Sequence, residues 1–298
     1  MRALGAADGQ LDIATKLKAA RGTSLVILST KAGSMTPAVE AKIRKAFSES
    51  VVVDFDPDMD IEKLVAPTAR VVVAGGDGTI GWVVRRLVDT RHPLGIISMG
   101  TFNNFAKSLG LPTTIDAAIR VVEEGKPRPI TLGRVNGHVF LEAAAFGLFG
   151  EAIGAGDAAK DRAFGEFAQG AMRMLGAKPF EYEMTGDIHA HGKTLSLVFS
   201  NTSSIGSQMP VSDNTPTDPY LELTFYSAWG RTDIVKRVIA RALPGENVDP
   251  GLGQMFKFRR LEVTTKPRTG IYADNFRVGQ TPATITAELS ALRVILPR

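Results

Sequence analysis

The residues in this sequence best suited to chemistry are small ones. Gly75-Gly76-Asp77-Gly78-Thr79 follows directly on the apolar run 70–74, and Gly100-Thr101 ends a second such run at 94–99. Residues without a Cβ permit positive φ and let a phosphate approach the backbone closely, while N–H groups at a helix start attract anions. A tight strand-to-helix turn that needs glycine for its own geometry is an equal alternative on the glycines alone. Asp77 tips the balance. A carboxylate among phosphate-facing amides is awkward unless it orients a hydroxyl, a water or a Mg²⁺ ion. A third small-residue stretch, Ser29-Thr30-Lys31-Ala32-Gly33, follows the first apolar run. Neither GxxxxGK[ST] nor GxGxxG is present, and no lysine follows the 75–79 corner.

Other chemistries find less support. With no cysteine, disulfides, zinc-thiolate sites and thiol nucleophiles are excluded. Of the four histidines, His189 and His191 are placed at i and i+2 on one strand face, a weak metal pair, and His92 and His138 are scattered. The net charge is +4, and the window 228–270 carries nine basic residues against four acids, so it holds the whole surplus. That suits an anionic partner or a solvated face. The basic residues lack aromatic partners for base stacking, which argues against nucleic acid. No apolar run reaches the length of a membrane span and the start lacks a signal-peptide pattern, so the expected location is cytoplasmic.

The elements that must position these corners read as βαβ units. Strands are predicted at 24–29, 50–55, 70–75 and 94–99, with helices at 36–47, 60–65 and 79–90 between them and two more after Gly100. Thr36 is a helix cap with Pro37 behind it. In a parallel sheet, ligands bind beyond the carboxyl ends of the strands, and all three small-residue stretches lie at such ends. After about Pro129 hairpin spacing takes over. A turn is expected at Asn136-Gly137 and another near Gly192. Strands are expected at 220–228, 256–265, 270–274, 283–289 and 291–297. The stretch 154–175 reads as a glycine-broken helical region, either a gate to a lipid pocket or a loosely packed helix pair, and 230–245 as an amphipathic helix suited to domain packing or to an anionic membrane. The fold class is α/β: an N-terminal nucleotide-binding domain with a parallel sheet, then a C-terminal β-rich antiparallel sandwich. The domains are placed at 1–132, with about 288–298 returning to it, and at 133–287.

GGDGT at 75–79 followed by GTFNNFAKSLGLP at 100–112 resembles the diacylglycerol kinase catalytic family, which includes bacterial lipid kinases and sphingosine and ceramide kinases. NAD kinases share the first motif but not the second. The resemblance extends through the closing YADNFRVGQTPATITAELSALRVILP. It implies ATP- and Mg²⁺-dependent phosphorylation of a lipid alcohol, diacylglycerol or a sphingoid or ceramide-type lipid. It also implies a site in the cleft between the domains, and work at the inner face of a membrane. By the same resemblance Gly75, Gly76, Asp77, Gly78, Thr79, Ile80, Gly81 and Thr101 hold ATP, with Ser29, Thr30, Lys31, Ala32 and Gly33 as a third loop. Asp274 is implied as the base that deprotonates the acceptor, and Asp218 as an acid near a structural Mg²⁺, with Asp77 an indirect contributor. A homodimer is left open. The sequence departs from the family pattern at Ser29-Thr30 (for Asn-Pro), Asn104 (for Asp), Pro219 (for Gly) and Phe276 (for Glu). Losing carboxylates weakens metal binding, so a catalytically impaired lipid- or nucleotide-binding relative is the alternative, and an NAD kinase-like soluble-substrate enzyme the second.

Overall fold

The computed structural model describes residues 24–65, 68–150, 178–206, 209–226 and 255–298. The expectations for 154–175 and 230–245 lie outside these residues. The chain divides into two compact units, 1–130 with 290–298, and 131–289.

In the first unit four parallel strands are built from apolar runs. They are β1 (Ser24–Leu28), β2 (Val51–Asp54), β3 (Arg70–Gly75) and β4 (Leu94–Ser98), paired in the order β2-β1-β3-β4. All side chains of β1 and β4 are buried, as expected for strands covered on both faces. Helix α1 (Pro37–Ala46) begins as expected: the Thr36 side chain accepts the Val39 N–H at 3.2 Å and Pro37 takes the first helical position. Helix α2 is Ile61–Val65 and α3 is Asp77–Leu87, which starts two residues before its predicted onset. Helices α4 (Asn104–Ser108) and α5 (Ile115–Glu124) follow β4. Its core joins Val26, Leu28, Val72, Ala74 and Ile97 of the sheet to Ile43 of α1 and Ala118, Ile119 and Val122 of α5.

The second unit is antiparallel. Strand β5 (Lys126–Val135) leads into it and turns back as β6 (His138–Phe140) through Asn136 at φ 47° and Gly137 at φ 86°, the two left-handed residues that a tight hairpin of this hand requires. One sheet orders β7 (Ala143–Gly147), β10 (Ser196–Ser200), β13 (Leu221–Tyr226) and β14 (Met255–Phe258) on one side, and β16 (Gly270–Ala273) and β17 (Phe276–Gln280) on the other side of β7. The other sheet pairs β9 (Ala190–Thr194) with β8 (Phe180–Gly186), β8 with β15 (Arg260–Lys266), and β15 with the start of β18 (Ala283–Leu296). A short ribbon, β11 (Ser204–Ile205) with β12 (Met209–Pro210), lies apart. Phe146, Phe199 and Ile271 of the first sheet meet Met184, Leu261, Val263 and Ile285 of the second in one core, which makes the unit a sandwich.

Four expectations need correction. The turn expected near Gly192 lies at 187–189, between β8 and β9. Gly192 sits inside β9 opposite Tyr182, whose hydroxyl would come within 3.2 Å of a Cβ there. His189 therefore belongs to the turn and only His191 to the strand, so the two do not share a strand face. The run 256–265 is two strands, because the chain passes from one sheet to the other at Arg259. The runs 283–289 and 291–297 are one strand, with Ser290 at φ 58° marking the point where the chain leaves the second unit and returns to the first.

Candidate active site

In the first unit the three small-residue stretches come together at the carboxyl ends of β1, β3 and β4. The Ser29 N–H donates to the Ala74 carbonyl at 2.8 Å and the Ser34 N–H to the Met99 carbonyl at 3.1 Å. A Cβ on Gly33 would lie 3.7 Å from Thr101 Oγ1. Thr30, Lys31, Gly33 and Thr101 are exposed on this rim, Ala32 is half-buried and Ser29 is buried.

The glycines there serve three purposes, and positive φ is not among them. Neither Gly75, Gly76 nor Gly78 has positive φ, so the backbone freedom that glycine permits is not used there. Gly75 makes room for its own helix, since a Cβ would stand 2.8 Å from Thr79 Cβ. Gly76 makes room for the neighbouring corner, with Gly100 Cα 3.2 Å from where its Cβ would be. Gly78 is different: a Cβ there would meet nothing within 4 Å, and the residue is exposed in the first turn of α3. No described residue requires glycine at this position, and alanine would suit the helix better.

Gly76 is the N-cap of α3, and the first intrahelical bond runs from the Ile80 N–H to the Gly76 carbonyl at 3.0 Å. The N–H groups of Gly76, Gly78 and Thr79 precede that ladder, at the positions a helix leaves outside its own hydrogen bonds. With the positive end of an 11-residue helix behind them, they make a corner suited to an anion. Ile80 and Gly81 already lie inside the helix. The Ile80 side chain is 1% exposed, and Gly81 is packed against Arg85.

Asp77 turns its carboxylate to the second corner, where Oδ2 accepts the Asn103 N–H at 2.9 Å. Asn103, which the sequence reading did not single out, sits at φ 53°. Its Oδ1 accepts the Gly100 N–H and its Nδ2 donates to the Gly100 carbonyl, both at 2.8 Å. Asn104, at the position where the resemblance expects an acid, is 1% exposed.

In the second unit Asp274 occupies the two-residue turn between β16 and β17, where Ala273 pairs with Phe276. It lies at φ 49°, a region that aspartate tolerates better than most residues. Its own N–H donates to the Ala143 carbonyl at 2.8 Å. Its carboxylate receives two backbone N–H groups from the segment before β7. Oδ1 accepts from Leu141 at 3.1 Å and from Glu142 at 2.9 Å, and Oδ2 also accepts from Leu141 at 3.2 Å. The half-buried carboxylate is thus held in one orientation by main chain. Phe276, two residues on, is 58% exposed.

Asp218 closes the turn 215–218 in the same unit. Its Oδ2 accepts the Thr215 N–H at 2.8 Å and the Thr215 hydroxyl at 2.9 Å, and its carbonyl accepts the Thr131 hydroxyl at 2.6 Å. Nearby strand ends supply more oxygen. Ser200 Oγ, Asn201 Oδ1 and Asn214 Oδ1 are buried with no hydrogen-bond partner among the described residues. Both amide nitrogens of this trio are committed: Asn201 Nδ2 to the Thr131 and Leu141 carbonyls, Asn214 Nδ2 to those of Ser200 and Tyr220. An acceptor-rich region around a carboxylate suits a hard cation such as Mg²⁺. Among the described residues no three His, Asp or Glu side chains group closely enough to hold a metal by themselves. Beside this region Glu222 is 4% exposed and accepts the Asp213 N–H at 3.1 Å. Burial pushes its carboxyl above its ordinary value, against the smaller opposing pull of that N–H and of Lys257.

A parallel α/β unit with a glycine corner at its strand ends, together with a β-sandwich unit, defines a two-domain fold class. The chain superposes on a putative diacylglycerol kinase from Bacillus anthracis with a TM-score of 0.73 at 19% identity, covering 92% of this chain and 96% of that one. It superposes on an NAD kinase from Archaeoglobus fulgidus with a TM-score of 0.50 at 16% identity, covering 93% and 94%. Residues 24–135 match the model of the diacylglycerol kinase catalytic domain. A diacylglycerol kinase of Mycobacterium tuberculosis is 31% identical over 245 residues, 78% of each chain. The protein belongs to the diacylglycerol kinase family.

Proposed function

We propose that the protein transfers the γ-phosphoryl group of ATP to the hydroxyl of a lipid alcohol, with diacylglycerol the acceptor that the names of its relatives favour. The observation that carries the nucleotide half of this reading is Gly78. It is an exposed helical glycine with open space where its Cβ would be, at the head of a helix whose first N–H groups have no intrahelical partner. A phosphate lying against that backbone explains the missing side chain; the protein's own packing does not.

In the proposed reaction the loops of the first unit hold the ATP phosphates, and Asp274 of the second takes the proton from the acceptor hydroxyl. The hydroxyl oxygen forms the new P–O bond as the bond to the β-phosphate oxygen breaks and ADP leaves. Two backbone N–H groups orient the Asp274 carboxylate for that proton. Mg²⁺, when bound, neutralises phosphate charge. A separate, structural Mg²⁺ would be held by Asp218, with the acceptor oxygens of Ser200, Asn201 and Asn214 nearby. No described helix is long and apolar enough to cross a membrane, and the reading places the protein on the cytoplasmic side, meeting its lipid at the membrane surface.

The test is transfer from radiolabelled ATP to a panel of lipid alcohols in mixed micelles, with NAD as a soluble comparison. Label in diacylglycerol, and less in sphingoid or ceramide-type alcohols, is the expected result. Label in NAD alone, or in no acceptor while ATP is still bound, overturns the reading.

A further inference from the structure

We propose that Asn103 is a positioning residue for the nucleotide: its side chain and backbone lock the 100–103 corner onto the head of α3 and so fix which N–H groups face the phosphates. This rests on the assignment of ATP to the first unit and deepens it.

Asn103 holds the N-cap position of α4, where an asparagine side chain ordinarily accepts an N–H from its own helix. Here it makes no such bond. The side chain turns backward instead, and its amide closes on both polar groups of one residue, accepting the Gly100 N–H and donating to the Gly100 carbonyl at 2.8 Å each. Its backbone N–H goes to Asp77 Oδ2 at 2.9 Å. Three hydrogen bonds from one 8% exposed residue therefore tie the end of β4 to the first residue of α3. Giving up the cap and adopting left-handed backbone both cost stability, so the fold forgoes a better local arrangement to make this clasp.

The clasp has two consequences at the corner. It brings the two glycine turns into contact: a Cβ on Gly100 would stand 2.8 Å from Asn103 Oδ1, 3.0 Å from Gly76 Cα and 3.1 Å from Asp77 Oδ2. It also uses both backbone polar groups of Gly100, which leaves the exposed Thr101 as the next residue that can present its N–H or hydroxyl on this rim. Only an amide satisfies both sides. Aspartate can accept from the Gly100 N–H but cannot donate to its carbonyl, and it adds a second negative charge beside Asp77. Glycine keeps the left-handed backbone and loses both side-chain bonds.

The experiment compares the wild-type chain with Asn103→Gly and Asn103→Asp, measuring ATP–Mg²⁺ binding by calorimetry, KM for ATP and for the lipid alcohol, and Tm. The proposal expects both variants to fold and to weaken ATP binding and raise KM for ATP by about tenfold, the scale of one or two hydrogen bonds. KM for the lipid stays within about twofold, and Asn103→Asp is impaired no less than Asn103→Gly. A lowered Tm with unchanged KM for ATP overturns the proposal, because that is the signature of a purely structural cap. So does full ATP affinity in either variant. If the wild-type chain itself binds no ATP, the kinase reading fails first, and the wild-type arm alone shows it.

Discussion

The carboxylate of Asp274 accepts the backbone N–H of Glu142 at 2.9 Å, across 132 residues of sequence. A turn aspartate usually bonds to its own turn. This one is held by the main chain that leads into β7, and its orientation therefore depends on the sheet rather than on the hairpin that carries it. The arrangement suits a base that must keep one geometry while its substrate changes.

The glycines of the phosphate corner can be separated by substitution. Gly78→Ala leaves Tm at or slightly above the wild-type value, since the Cβ meets nothing and alanine favours the helix. It raises KM for ATP by about 10–100-fold, the cost of displacing a reacting group by a methyl. Gly100→Ala meets Gly76 Cα and Asn103 Oδ1 and destabilises the fold by about 1–3 kcal/mol. Thermal melts and ATP kinetics on the two variants check both statements.

Stability depends on pH through Glu222. Its folded-state carboxyl lies above the ordinary 4.5 because burial disfavours the charge. The native state thus holds this proton more tightly than the unfolded chain does. The contribution is complete below 4.5 and is lost as pH rises through the folded value. Glu222→Gln keeps an acceptor for the Asp213 N–H and removes the charge. It is expected to raise Tm by about 2–4 °C at pH 8 and to leave it unchanged at pH 4. Melts across that range give the answer.

Restoring the family's acids affects the fold unequally. Asn104 is 1% exposed, so Asn104→Asp buries a charge and lowers Tm. Phe276 is 58% exposed, so Phe276→Glu stays within about 0.5 kcal/mol of wild type. Phe276→Glu is also expected to lower the Mg²⁺ concentration that gives half-maximal transfer, which a metal titration of activity measures.

Local chemistry was readable in the sequence and long-range pairing was not. The third strand matches its predicted range, 70–75, residue for residue, and the Thr36 cap and the Asn136-Gly137 turn are where residue type placed them. These features depend on neighbours within a few positions. The misplaced turn at Gly192 shows the limit: a strand glycine that admits a tyrosine across the sheet looks like a turn glycine until its partner is known. The run 256–265 reads as one strand by its apolar content, yet its alternation shifts phase at Arg259-Arg260, from Phe256 and Phe258 to Leu261 and Val263, and that is where the chain changes sheets. The glycine corner reads from the sequence as a candidate phosphate site. The reason for each glycine is not legible there, since it depends on Thr79, on Gly100 and, at Gly78, on no described residue. Asn103 went unnoticed because its partners are a backbone three residues back and a carboxylate 26 residues away.

The most direct test of the whole account is phosphoryl transfer by Asp274→Asn with diacylglycerol as acceptor, alongside its ATP affinity. Asparagine keeps an oxygen for the Leu141 and Glu142 N–H groups but cannot take the acceptor's proton. The account predicts a loss of turnover of about 10²–10⁴-fold with ATP binding unchanged. Transfer at the wild-type rate would contradict it.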